Sequence, residues 1–251
     1  MNKKKSKIPC IVVAVILALI LSIGFYAFYV FVVQDQVRYS NPGYISSYNE
    51  AYHYTFEPET ILAALERGET GLFQPIPNDI EDNVYPPGSF PWHQQDYLKV
   101  ANAIHNSRLD GWQIAIWYFR RNCADNPIGF DFAELLYFNP EKNQHTEIKI
   151  FPLSKSAAWG KDEYFEPPPF FWRKSIDPRK IKITADDAIQ IAEAHGGKDA
   201  RLAFQNKCII TIDLYANTNQ WDVEYYRPDL DTFEITVNPY SGEYEIPMPQ
   251  K

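Results

Sequence analysis

The sequence predicts an α+β protein: an N-terminal transmembrane helix followed by two units, each a single helix laid on an antiparallel sheet. Three observations carry this expectation. Residues 11–33 are a run of 23 residues without a charge. A capped, amphipathic stretch at 184–197 is followed by runs of alternating polarity that end near residue 246. A weaker version of the same pattern occupies residues 96–151. The chain divides accordingly into a segment 1–10, a span 11–33, a tether with a short helix and a proline-rich loop at 34–93, a first unit at 94–151, a connector at 152–182 and a second unit at 183–251.

As a helix the apolar run extends roughly 34 Å, enough for a hydrocarbon core of about 30 Å. Lys3, Lys4, Lys5 and Lys7 all precede it, so the positive-inside rule leaves the N-terminus in the cytoplasm and residues 34–251 outside the cell membrane. Tyr26 and Tyr29 fall near the outer interface, where rings with a polar tip are favoured. A cleaved signal peptide is the competing reading, but the run exceeds an ordinary h-region and no Ala-x-Ala site follows it. Cys10 precedes the run, the wrong side for a lipoprotein signal.

Four of the 24 basic residues lie before the span, which leaves 20 against 32 acidic residues beyond it, a net charge of −12. Nucleic acid is excluded as a partner, because its binding needs a basic footprint that offsets phosphate charge.

Residues 34–55 are polar and tyrosine-rich, with a turn at Asn41-Pro42-Gly43. A short helix follows at 58–67, with Pro58 in its first turn, Ile61, Leu62 and Leu65 along one side and Gly68 as its stop. The first unit opens with Tyr97, Val100, Ala101 and Ile104 at helical spacing. In the strand after it, Trp112, Ile114, Ile116 and Tyr118 alternate with Ala115, Trp117 and Phe119, so both faces are apolar. The short helix, the connector or a partner protein has to cover the second face.

The connector carries Trp159, Tyr164, Phe165, the run Pro167-Pro168-Pro169, and Phe170, Phe171 and Trp172. Consecutive prolines favour an extended conformation that displays its neighbours. These six aromatics are therefore the candidate binding residues, a recognition strip for a protein or glycan; packing between the units is the alternative.

In the second unit Thr184 stands at an N-cap position and Asp187 three residues on, a capping box with Asp in place of Glu. Ala188, Ile191, Ala192 and His195 follow helical spacing, and Gly196 and Gly197 stop the helix. Trp221, Val223 and Tyr225 then alternate with Asp222 and Glu224, and Phe233, Ile235 and Val237 with Glu234 and Thr236, the pattern of half-buried antiparallel strands. Pro239 and Gly242 suit the turn of a final hairpin.

The capped helix, the Trp-x-Val strand and the strand ending in Asn-Pro-x-x-Gly-Glu, in that order, resemble the PepSY domain. The resemblance covers about a quarter of the chain. It implies a cystatin-like fold and, from the family's occurrence in propeptides of thermolysin-like metallopeptidases and in envelope proteins, a role in modulating a protease. The Gln-x-Val-x-Gly hairpin of inhibitory cystatins is absent, so no inhibitory residues transfer.

The first unit reads as a divergent copy. Residues 96–103 align on 187–194 without a gap at an offset of 91, Trp112 on Trp221 at 109, and 138–143 on 237–242 at 99, with Asn143 in the position of Gly242.

A search for chemistry returns little. His53, His93, His105, His145 and His195 show no zinc-ligand spacing. There is no nucleophile elbow or phosphate loop, and the carboxylates at 79–82 and 229–231 lack the glycine placement of a calcium loop. No catalytic residue, metal or cofactor is expected. Cys123 and Cys208 are the cysteines this topology exposes to an oxidising compartment, and a bridge between them would join the two units. The functional expectation is a membrane-anchored extracytoplasmic binding protein that modulates or inhibits an envelope or secreted protease. An extracytoplasmic ligand-sensing module working with a membrane partner, and an envelope hydrolase, stand as alternatives.

Overall fold

The computed structural model describes residues 51–76, 88–105, 111–123, 129–142, 144–160, 163–164, 174–228 and 230–247, together with Leu21, Ser22, Gly24 and Tyr26. The chain separates into two compact units, Met1–Asn49 and Glu50–Lys251. In the first, the four described residues are helical and exposed. The remainder of the expected span at 11–33 lies outside the described residues, and among those described no helix is long and apolar enough to cross a membrane.

The second unit is α+β. In chain order it contains β1 (Ala51–Thr55), α1 (Pro58–Glu66), β2 (Gln74–Ile76), α2 (Gln94–His105), β3 (Gln113–Asn122), β4 (Phe132–Asn139), β5 (Gln144–Phe151), β6 (Ser156–Gly160) and β7 (Glu163–Tyr164). Next come α3 (Ala185–Ala192), a kinked turn at Glu193–Gly197, α4 (Lys198–Ala203), β8 (Ile209–Tyr215), β9 (Trp221–Tyr226), β10 (Phe233–Val237) and β11 (Tyr244–Glu245). The described strands form one antiparallel sheet in the order β11-β10-β9-β8-β3-β4-β5-β6-β1-β2, with β7 beside β5.

The sequence gives each copy a sheet of its own; the structure runs a single sheet through both, because β3 pairs with β8 from Ile116↔Tyr215 to Asn122↔Ile209. Strands from outside the two expected units also join it. β1 and β2 come from the range 34–93 and β6 from the connector, and together they extend the sheet beyond β5. From the shared centre outward, β3, β4, β5 and β6 stand where β8, β9, β10 and β11 stand on the other side. The sequence offsets at Trp112 and at the Asn-Pro turn instead lay β3 on β9 and β4 on β10, one strand along.

α2 and α3 lie on one side of this sheet; α2 buries the face expected of it, whereas α3 buries Ile189 in place of Ile191, which is half-buried, and of His195. Tyr97, Val100, Ala101 and Ile104 of α2 are buried, as are Ala188, Ile189 and Ala192 of α3. The capping box is present: Thr184 Oγ1 accepts from the Asp187 amide at 3.2 Å, and the Thr184 amide donates to Asp187 Oδ2 at 2.9 Å. The glycines that should end this helix kink it instead. Gly196 takes φ +119°, the left-handed region open to glycine, and the chain resumes as α4. A Cβ on Gly197 would lie 2.6 Å from the Tyr225 hydroxyl. The kink turns His195 away from the core; it is exposed and stacks on Tyr244 at 4.0 Å.

The two Asn-Pro turns share one device. Asn139 Oδ1 accepts from the amides of Glu141 and Lys142, and Asn238 Oδ1 from those of Tyr240 and Ser241. The first closes β4 onto β5, and the second leads from β10 to β11.

β3 is buried on both faces, with one correction to the alternation. A bulge between Ile114 and Ile116 moves Ile114 to the helix side, where it pairs with Tyr137 and joins the main core. On the other side Ile116, Phe132, Leu136, Phe138 and Phe151 are buried within the chain itself, so the second apolar face needs no partner protein for its burial. Both edges of the sheet are blunt. β2 is three residues long and contains Pro75, and β11 is two residues long and is soon followed by Pro247. Short, proline-bearing edges resist pairing with further strands.

Candidate functional site

Of the six connector aromatics, Trp159 belongs to the sheet. It is 7% exposed in β6, its Nε1 donates to Thr146 Oγ1 at 2.7 Å, and its ring lies 5.1 Å from that of His105. A buried ring with its N–H satisfied is a core residue rather than a displayed one, which corrects the expectation at this position. Tyr164 lies in β7 opposite Gln144. Phe165, Phe170, Phe171 and Trp172 lie outside the described residues.

The structure assembles two polar features that the sequence pattern did not single out. The first is the junction of the two helices on the helix side of the sheet. The N-terminus of α2 caps that of α3: Gln94 Oε1 accepts from the Ala185 amide at 2.7 Å. Gln94 and Ala185 are themselves related by the offset of 91. Asp186 Oδ2 sits 3.4 Å from His93 Nδ1. Burial raises the Asp186 pKa, and His93 and Arg121 oppose the rise. Gln94 is 1% exposed, and its Oε1 is the acceptor that occupies the first amide of α3.

Beyond the junction, Glu193 accepts from Arg201 through both carboxylate oxygens, at 3.2 and 3.0 Å, and from the Tyr225 hydroxyl at 2.8 Å. Arg201 also donates to Asn206 Oδ1 at 2.7 Å. Burial lowers the Arg121 pKa, while Tyr225, Asp186 and Glu193 act to raise it. Burial, followed by Glu193, pushes the Tyr225 hydroxyl well above its usual range. Glu193, Arg201, Asn206 and Tyr225 are thus hydrogen-bonded to one another, and the arrangement ties the kinked helix to β9. Replacing Gln94 with Leu strands the Ala185 amide and is expected to destabilise the protein by about 1–3 kcal/mol in denaturant unfolding. Lys99→Ala breaks only the exposed pair with Glu66 and is expected to cost under about 1 kcal/mol.

The second feature lies on the opposite face. Cross-strand register sets Asp213 against Asp222 and Glu224 against Glu234, like charges side by side. Burial first, then Glu234, raises the Asp222 carboxyl to about 7. Asp213 is raised well above its usual value by burial, then by Asp222, Glu134 and Glu224. Glu134 is likewise raised to about 7 by burial, against the pull of Lys149.

Cys123 and Cys208 are joined by a disulfide, with Cα atoms 5.1 Å apart and the Cys123 amide donating to the Cys208 carbonyl at 2.8 Å. The bond lies one residue beyond the last β3–β8 pair, so it clamps the strand pair that fuses the two halves. Among the described residues no group of three or more His, Cys, Asp or Glu is placed to hold a metal ion.

No curated protein and no solved structure matches the chain. The family model of the peptidase propeptide and YPEB domain, PepSY, matches residues 182–244. That range takes in α3, the kink, α4, β8, β9, β10 and the first residue of β11. Domains of this family are generally non-catalytic and are associated with propeptide or inhibitor-like roles toward proteases. Thr184, Asp187, Trp221, Val223, Asn238 and Gly242, the residues that carried the resemblance, form its helix cap, its central strand and its last turn: the stretch 182–244 is a PepSY domain.

Proposed function

We propose that the chain is a membrane-anchored, extracytoplasmic binding protein that modulates an envelope or secreted peptidase without catalysing a reaction itself. The observation that carries this reading is the PepSY domain at 182–244, complete in its cap, strands and turn. Residues 11–33 serve as the anchor, with the N-terminus in the cytoplasm and residues 34–251 outside. The Cys123–Cys208 disulfide supports that placement, since such bonds persist in oxidising compartments. Tyr164, Phe165, Phe170, Phe171 and Trp172 remain the contact strip, with Trp159 withdrawn from it.

Crosslinking of the full chain in native membranes, followed by identification of the captured protein, tests this. A peptidase is the expected catch. Phe170→Ala, Phe171→Ala and Trp172→Ala together should weaken capture by about 2 kcal/mol or more without altering the melting temperature. Recovery of none but non-peptidase partners contradicts the reading, and undiminished capture by the triple variant removes the connector from the contact.

A further inference from the structure

The face of the sheet opposite the helices carries an unusual load of acid. One register row runs Glu245, Thr236, Asp222, Asp213, Tyr118, Glu134 and Lys149 across β11, β10, β9, β8, β3, β4 and β5. The neighbouring row runs Glu234, Glu224, Thr211, Arg120 and Phe132. Beyond Lys149 the first row continues through Ala158 to His53, and the described basic groups on these rows, Lys149, Arg120 and His53, all lie on the far side of β8 from Asp222 and Glu234. Two of them already have an acid alongside: Lys149 is 2.7 Å from Glu147, and Arg120 is 3.8 Å from Asp131. Between β8 and β10, the carboxylates face one another.

A second observation, at the Arg120 end, points to the ligand this face would take. Asp131 is 3% exposed and accepts from the Asn122 side chain through Oδ2, while its Oδ1 is buried with no partner. A buried, unpaired carboxylate oxygen is costly as an anion and is relieved by a proton. Burial holds this carboxyl near 7 as well, against the pull of Arg120.

We propose that this face is a proton-operated element: in mildly acidic surroundings it takes up protons and the β8–β9–β10 sheet is held firmly, and in mildly alkaline surroundings its carboxylates repel and the PepSY half loosens. The inference stands on strand register and burial, independently of what the protein binds. A carboxyl whose folded pKa is raised contributes stability that is complete below its ordinary range and lost as pH rises through the folded value. For Asp222, Glu134 and Asp131 that loss runs from the ordinary carboxyl range up to about pH 7, where it is complete. The direction is opposite to ordinary acid denaturation.

Denaturant unfolding of the full chain at pH 5.5 and pH 8.0, with the disulfide intact, tests the proposal. The unfolding equilibrium constant is expected to be at least about tenfold larger at pH 8.0, the effect of one carboxyl retained as the acid until about pH 7. Asp222→Asn and, separately, Glu234→Gln keep the shape of the side chains and remove one charge of the cluster. Each should be more stable than the parent chain at pH 8.0 and show a smaller difference between the two pH values. Equal stability of the parent at both pH values, greater stability at pH 8.0, or an undiminished pH difference in both variants would overturn the proposal.

Discussion

Loss of the Cys123–Cys208 bond is expected to cost about 4–5 kcal/mol, close to half of what keeps an ordinary domain folded. The bond closes a separation of 85 residues, and in the chain-entropy model the restriction of the unfolded state grows with the loop that is closed. Its position makes the effect more than local. Cys123 follows β3 and Cys208 precedes β8, and among the described strands these two alone join the PepSY half to the rest of the sheet. Changing both cysteines to Ala avoids a stray thiol and leaves the two strands paired through their backbone. Denaturant unfolding of this variant beside the parent chain, each with and without reductant, should show the parent falling to the variant's stability only when reduced. Equal stability of the two oxidised proteins would mean that the β3–β8 pair needs no clamp.

Trp221→Ala is expected to destabilise the protein by about 3–5 kcal/mol. Trp221 opens β9, is fully buried, donates from Nε1 to the Ile183 carbonyl at 2.8 Å, and meets the rings of Trp117 and Phe119 near 6.4 Å. Truncation opens a cavity in contact with β3 and strands the Ile183 acceptor. Because Trp117 and Phe119 belong to the other half, the damage should cross the junction. Hydrogen exchange is the suitable readout: amides of β3 and β4 should lose protection together with those of β9 and β10. Loss confined to β8, β9, β10 and β11 would show that the two halves open independently despite their shared sheet.

What could be read from the sequence was local. The capping box at Thr184 and Asp187, the alternation about Trp221 and the turn at Asn238 each depend on neighbours a few residues apart, and each is found where it was expected. The pairing of β3 with β8 joins residues roughly 90 apart and leaves no periodic trace, so the fusion into one sheet was not legible. The like-charge pairs escaped for the same reason. Asp222 and Glu224 alternate correctly for a wet face, and only the register reveals that Asp213 and Glu234 stand beside them. β1 reads as a polar, tyrosine-rich tether because its side chains carry little burial, with Tyr52 and Thr55 exposed and His53 and Tyr54 half-buried, and β6 was hidden inside a stretch read as a connector. The bulge at Ile114–Ile116 moved one side chain of an otherwise regular alternation, a shift that no pattern of period two can report. Gly196 and Gly197 carry the usual mark of a helix end, yet here they admit a kink that brings Glu193 to Arg201 and Tyr225.

The most direct measurement of the proposed role is the activity of the captured peptidase, assayed on a peptide substrate while the purified full chain is titrated into it. The account expects kcat/KM to change and to level off at one equivalent of the chain, with the substrate unaltered by the chain alone. Peptidase activity that stays constant through a stoichiometric excess, or turnover of the substrate by the chain without the peptidase, would contradict it.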